Sequence, residues 1–373
     1  MKFTCKKNEL EKNLQTALLS LSPKTMLPYL SFLLMEAEND KVTITSTDLE
    51  VSMKIMFDVS VKEAGKALIH GDLFGALTRV QEDKDITIEE TGENIKIKCG
   101  EFRASVAKGN IQDYPQIPEP PEQKDKQIKI TAMTLSEMLG KTGFSASRDE
   151  VRYVLCSEYF EVSKGTLTVV ATDGKRLAAI SREVQADKSL KAAAIVPVKT
   201  INILQKVLLC CEEKEEITIV IMDNSIYFLS KNVCMSSRLI DGTYPDFRNV
   251  IPSSSKIKVE VQRDEVLRAT VRASSLFQGG VPVQGTTIKC QLKKNKLTIL
   301  AESAGFGKSE EEIDVVLSGG SVNISFNPGY VIDVLKHLSD TKVILELTDS
   351  LNATVIKSPE DPDFTSLIMP MRA

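Results

Sequence analysis

The stretch 128-IKITAMTLSEMLGKTGFSAS-147 decides how the rest of the chain is read. Ile128 and Ile130 alternate with polar neighbours, as in a half-buried strand. Beyond a polar joint, Leu135 and Leu139 recur at helical spacing. The same phrase stands at 2-KFTCKKNELEKNLQTALLSL-21, with Leu10 and Leu14, and at 257-IKVEVQRDEVLRATVRASSL-276, led by Val266. A unit written three times sets domain count and fold together.

A second trio lies deeper in each unit, at 67-ALIHGDLFGALTRV-80, 194-AIVPVKTINILQKVL-208 and 324-ISFNPGYVIDVLKHL-338. Each reads as a strand, a Gly or Pro joint and another amphipathic helix. Paired-strand patterns follow at 86-ITIEETGENIKIKC-99, 217-ITIVIMDNSIYFL-229 and 343-VILELTDSLNATVI-356, the first two with turn signals at TGEN and MDNS. The units close on 114-YPQIP-118, 244-YPDFRNVIP-252 and 362-PDFTSLIMP-370, which read as one phrase. Linker-like seams follow in 118-PEPPEQKDKQ-127 and 252-PSSSK-256. The expectation is an α+β chain of three tandem domains, 1–125, 126–253 and 254–373. Each domain should hold two helices and about seven or eight antiparallel strands. Bare sheet edges invite pairing, so three copies in an arc can join edge to edge and two arcs can close head to tail.

Composition narrows the function. The 373 residues are 42% hydrophobic and 26% charged, which suits a soluble globular protein with ample core. The start, MKFTCKKNEL, has no apolar signal core, and no run approaches the roughly 18 apolar residues of a membrane span. A cytoplasmic protein with no membrane partner is expected. Seven scattered cysteines show neither CxxC nor zinc spacing and read as reduced, mostly buried thiols, with Cys210 and Cys211 finishing the helix of 203-ILQKVLL-209. No metal or cofactor is expected.

A net charge of −4 excludes a protein that grips nucleic acid through a large positive excess, and 5% aromatics without Trp leave little for a single-strand stacking platform. There is no P-loop, GxSxG or HExxH, and the only two histidines, His70 and His337, lie far apart. Glu89–Glu90 and Glu310–Glu312 read as exposed charge rather than an acid/base pair. The expectation is a protein without catalysis.

Particular residues go further. The triplication, 171-ATDGKRLA-178, 244-YPDFRNVIP-252, 326-FNPGYVIDVL-335, 347-LTDS-350 and the terminal 369-MPMR-372 together resemble the bacterial sliding clamps, the beta subunits of DNA polymerase III. The similarity runs from 1-MKF to the last residue. It implies three tandem DNA-clamp domains per chain and a head-to-tail homodimer closed into a six-domain ring, with helices lining the hole and sheets outside. Such a ring encircles duplex DNA without sequence preference. It tethers the replicative DNA polymerase and other clamp-binding replication and repair proteins, and a clamp loader opens it. Because topology holds the DNA, the hole need be only mildly basic. Candidate DNA-facing cations are Arg79, Lys141, Lys199, Lys206, Arg268 and Arg272 on or beside the inner helices, with Lys24 and Arg148 from loops.

The resemblance also implies a pocket for partner peptides, carried over onto Leu155, Thr172, Gly174, Lys175, Arg176, Leu177, Pro245, Val250, Tyr330 and Leu351. The tail adds Leu367, Ile368, Met369, Pro370, Met371 and Arg372. Read from its residues, 364-FTSLIMPMRA-373 is either a last strand docked on the core or a surface meant to be touched. The resemblance makes it half of each. Leu155, Leu177, Val250, Leu351 and Ile368 would wall sockets for leucine and phenylalanine side chains, and Met369 and Met371 would repack around several partners. Arg176 and Arg372 would meet peptide carbonyls or acids.

The chain departs from the family pattern at Lys175, where histidine is frequent, and at Asn249, Ala373, Asp149 and Val154. Ala104, Val106, Ser275 and Leu276 match dimer-seam positions, with Ala104 and Ser275 smaller than expected there. The competing reading is a triplicated dimeric scaffold that binds peptides and never encircles DNA.

Overall fold

A computed structural model describes residues 1–21, 27–121, 123–252, 254–277, 286–303 and 306–371, and only the backbone of Lys124. Lys24, Arg372 and Ala373 lie outside the described residues. The repeated phrase folds as read, without the expected joint. Strand Lys2–Lys6 runs straight into helix α1 (Lys7–Leu18), and Gly65–His70 into α2 (Gly71–Arg79). The middle copy repeats this with Gln127–Thr131 into α3 (Ala132–Thr142) and Lys191–Pro197 into α4 (Val198–Leu208). The third does so with Ile257–Gln262 into α5 (Arg263–Ser274) and Val322–Phe326 into α6 (Pro328–Lys336).

Local chemistry explains these starts. Asn327 accepts a hydrogen bond from Gly329 N at 2.8 Å, and Pro328 takes the first helical position, where its missing N–H costs nothing. Gly71 is needed for space, since a Cβ there would stand 2.3 Å from Leu21 Cδ1.

The chain forms two compact units, Met1–Ser136 with Gln185–Leu190 and Lys199–Leu239, and Glu137–Val184 with Lys191–Val198 and Ile240–Ala373. The middle copy is thus divided between them. In the first unit a five-stranded antiparallel sheet ends on Phe102–Ala107, which pairs on one side only among the described residues. An eight-stranded sheet continues across two copies, because Val233–Arg238 of the middle copy pairs with Val51–Asp58 of the first, Met235 facing Met53. Helices α1 and α2 pack together in this unit.

The second unit repeats the arrangement. Arg176–Glu183 of the middle copy pairs with Phe364–Ile368 of the third, making one nine-stranded sheet. A four-stranded sheet ends on Gly307–Asp314, again paired on one side only among the described residues. Helix α5 packs on α6. Edge-to-edge joining of copies is therefore built into the single chain.

Four details differ from expectation. Among the described residues the copies hold nine, eight and nine strands, because short edge strands such as Ser60–Glu63 and Val316–Ser318 carry no hydrophobic alternation to betray them. The third closing phrase is not equivalent to the others. Residues 364–368 are the last strand of their copy, whereas Tyr114 and Tyr244 follow the last strands of theirs and lie buried outside any strand. Helix α4 stops at Leu208, so Cys210 and Cys211 sit in the turn beyond it. All seven thiols are free, but only Cys5, Cys99 and Cys290 are buried.

Candidate partner-binding groove

The join between the middle and third copies carries the most distinctive surface of the second unit. Its foundation is the hairpin of Thr166–Thr172 and Arg176–Glu183. Gly174 takes φ +83°, a left-handed conformation that favours glycine. The Asp173 carboxylate accepts from Lys175 N at 2.8 Å and Arg176 N at 3.0 Å, while the Thr172 hydroxyl accepts from Gly174 N and donates to Arg176 O at 2.6 Å. This turn fixes the register in which Leu177 faces Leu367 across the join. Beyond the last strand, Met369 N donates to Lys175 O and Met371 N to Ser325 O, both at 2.8 Å.

Leu177 and Leu367 are almost wholly buried and share a cluster with Val170, Tyr244, Phe247 and Ala353, onto which Leu155 and Val154 pack. Apolar residues close in sequence to members of this cluster stay exposed. Val250 ends the 3₁₀ turn begun by Phe247 and is 50% exposed; Leu351, two residues before Ala353, is 75% exposed, and Met369 is 40% exposed. Pro245 is exposed next to Tyr244, and Pro370 and Met371 are half-buried. A buried apolar floor with exposed apolar rims is the arrangement that receives an inserted side chain.

Ile368 corrects the sequence reading. Successive side chains of a strand point to opposite faces, so with Leu367 in the groove floor Ile368 points into the third copy's core. There it lines a cavity of about 40 Å³ with Val266, Cys290 and Phe326.

Arg176 is a second correction. Its side chain is 7% exposed, donating from Nε to Asp173 (3.2 Å) and from Nη1 to Asp333 (2.6 Å), with its guanidinium 4.6 Å from the Tyr330 ring. It is committed to the protein and does not reach out for a ligand. It forms part of the wall of a cavity of about 750 Å³ that Arg148, Arg152, Lys175, Tyr330 and Asp333 also line. Burial, and then the Asp173 charge, raise the Tyr330 hydroxyl pKa. The sequence reading missed Asp333; its place three residues after Tyr330 on α6 was the available signal.

It also missed Glu158, which is fully buried beneath this region on the strand Ser157–Ser163. Its Oε2 lies 2.9 Å from the Thr142 hydroxyl, which lies 2.9 Å from Met138 O as well. One hydroxyl hydrogen bonds well to only one acceptor at a time. The geometry balances when Glu158 carries its own proton and donates it to Thr142, which donates to Met138. In agreement, burial pushes the Glu158 carboxyl up to about 8, offset in part by Thr142.

The DNA-facing candidates divide. Lys141 donates to Glu137 and Asp361, and Arg182 joins the same carboxylates. Burial lowers the Lys141 pKa, but the hydrogen bonds and charges of Asp361 and Glu137 together raise it above its ordinary value. Lys199 is held by Asp48 and Glu50, and Arg272 by Glu311. Arg268 has only a 3.8 Å contact with Asp264. Arg79, Arg148 and Lys206 are exposed and make no ion pair among the described residues. At the seam positions Ala104 and Val106 share the inward face of their strand, half-buried and 9% exposed, whereas Leu276 is half-buried and Ser275 exposed. Among the described residues no group of three or more His, Cys, Asp or Glu side chains could hold a metal ion, and no helix is long and apolar enough to cross a membrane.

The fold defines a class, a triplicated α+β chain whose sheets continue from one copy into the next. Comparison with known proteins agrees along the whole length. Models of the DNA polymerase III beta subunit match as its N-terminal domain over 1–118, its central domain over 129–246 and its C-terminal domain over 248–372. The chain is 32% identical over 374 residues to the beta sliding clamp of Chlamydia pneumoniae, covering 100% of this chain and 99% of that one. It superposes on the Bacillus subtilis DNA polymerase sliding clamp with TM-score 0.94 at 28% identity, covering 100% and 99% of the two chains. A Pseudomonas aeruginosa sliding clamp bound to griselimycin gives the same TM-score and identity over 100% of both. The chain belongs to the DNA polymerase III beta subunit family, the bacterial beta sliding clamps. Its function is that of a DNA sliding clamp, a processivity factor without catalysis.

Proposed function

We propose that two copies of this chain, each of domains 1–125, 126–253 and 254–373, close head to tail into a ring around duplex DNA in the cytoplasm. The groove on each copy then tethers the replicative polymerase, the clamp loader and other replication and repair proteins. The observation that carries the ring is the difference in charge between two one-sided sheet edges, Phe102–Ala107 in the first copy and Gly307–Asp314 in the third. Phe102–Ala107 and its neighbour strand expose Arg103, Lys96 and Lys98, while Gly307–Asp314 exposes Glu310 together with Glu312 and Asp314, both bridged to Lys296, and Lys308, bridged to Glu302. Opposite charges favour pairing the first edge of one copy with the last edge of another and disfavour like with like. Ala104, Val106, Ser275 and Leu276 are assigned to that seam.

The groove reading rests on the exposed apolar rim of Val250, Leu351 and Met369 beside the buried Leu177 and Leu367. Leu155, Thr172, Gly174, Lys175, Pro245, Tyr330, Pro370, Met371 and Arg372 complete it, and Arg176 acts from within the protein. Arg79, Arg148, Lys206 and Arg268 are the cations most available to DNA, and Lys24 is carried over from the family resemblance.

The test is retention on DNA circles after loading. A topological clamp stays on a closed circle through a high-salt wash and is lost when the circle is cut. Equal, salt-sensitive binding to circles and linear DNA would leave a peptide-binding scaffold instead.

A further inference from the structure

We infer that Asp333 is a positioning residue for the groove, acting through Arg176; this rests on the groove reading above. Arg176 begins the strand whose next residue, Leu177, is the groove floor, so where its side chain is anchored sets how that strand end is held. Two carboxylates grip the guanidinium. Asp173 lies in the same turn and follows any movement of Arg176, whereas Asp333 belongs to α6 of the third copy and supplies, among the described residues, the only carboxylate that anchors it from outside the hairpin. Tyr330 and Asp333 stand three residues apart, on one face of α6, so the helix presents a ring face and a carboxylate to one guanidinium. Phe144, 5.8 Å from the same guanidinium, stacks on His337 of α6 at 4.6 Å. The guanidinium thus meets Tyr330 and Asp333 of α6 and the Phe144 ring that stacks on a third α6 side chain, His337.

Asp333 is 39% exposed, and Arg176 keeps Asp173 when Asp333 is removed, so the fold should survive its loss. What changes is direction. Without Asp333 the guanidinium can swing into the adjoining cavity of about 750 Å³, uncovering the Tyr330 ring and freeing the end of the Leu177 strand.

The experiment uses the full chain and a fluorescein-labelled hexapeptide with leucine and phenylalanine anchors, read by anisotropy and by dissociation rate. Asp333→Ala should weaken binding about tenfold, mainly through faster dissociation, at an unchanged melting temperature. Asp333→Asn keeps an oxygen to accept from Arg176 and should stay within about threefold of the wild type. Arg176→Ala combined with Asp333→Ala should lose no more than Arg176→Ala alone.

Wild-type binding with Asp333→Ala inside twofold of it would overturn the assignment, as would singles whose losses multiply in the double variant. A loss of affinity that tracks a fall in melting temperature would also overturn it, reducing Asp333 to a structural role. No binding of the peptide by the wild type at millimolar concentration would instead overturn the groove reading, and this inference with it.

Discussion

Replacing Glu158 by glutamine should make the protein more stable at neutral and alkaline pH and leave it unchanged near pH 5. The native carboxyl sits at about 8 against an ordinary 4.5. Between those values the native state holds a proton that the unfolded chain has released. Stability therefore falls as pH rises through the window, by about 1.4 kcal/mol per pH unit. The loss is about 3 kcal/mol by pH 7 and about 5 kcal/mol by pH 9, where it levels off. Glutamine cannot ionise, and its amide can donate to the Thr142 hydroxyl as the protonated acid does, leaving Thr142 to serve Met138 O.

The assay is thermal unfolding of both proteins from pH 5 to pH 9, read as the difference between them so that all other titrating groups cancel. About 1 °C per kcal/mol is expected if the whole chain melts together, and about 2–3 °C if the second unit melts alone. The curves should coincide at pH 5 and separate steadily to pH 8. Parallel curves would refute the reasoning, and a glutamine variant that is less stable throughout would mean that Glu158 is folded as an anion.

Two further outcomes follow from the same region. A Cβ on Gly143 would lie 2.7 Å from Glu158 Oε1, so Gly143→Ala should cost about 1–3 kcal/mol in denaturant unfolding. That cost should shrink in a Glu158→Ala background, where the obstructing atoms are gone; an equal cost in both backgrounds would show that backbone conformation is at issue. Leu351→Ala, at a 75% exposed rim position, should change stability by less than about 0.5 kcal/mol while weakening peptide binding. Leu367→Ala, in the buried floor, should cost about 2–5 kcal/mol of stability as well.

The repeated strand–helix phrase was legible because both periods, two and three-to-four, are written in apolar residues such as Ile128, Ile130, Leu135 and Leu139. All four are buried. Strands that bury little, such as Ser60–Glu63, left no such trace. The candidate groove residues came from the family resemblance, which carries no geometry. Leu367 and Ile368 are equivalent as letters, and only the register with Leu177 separates a floor residue from a core residue. Arg176 likewise read as a ligand-facing cation because its second carboxylate, Asp333, is 157 residues away in sequence. Glu158 was invisible for a related reason. A glutamate at the start of an alternating strand reads as solvent-facing until Thr142 and Gly143 are placed against it.

The same lesson bears on how such a chain holds DNA. Counted from sequence, its inner-helix cations suggest a basic lining, yet Lys141, Lys199 and Arg272 each carry a carboxylate partner of their own. A cation already paired releases fewer counterions on meeting a phosphate, because it must first give up its own acid. Arg79, Arg148 and Lys206 remain unpaired among the described residues, too few for tight sequence-independent binding at physiological salt. For a surface binder this would be a defect. For a ring it is an advantage, since every strong phosphate contact would have to break at each step along the duplex, while closure alone prevents escape. Internal pairing of these cations therefore favours mobility over affinity, as the proposed encirclement requires.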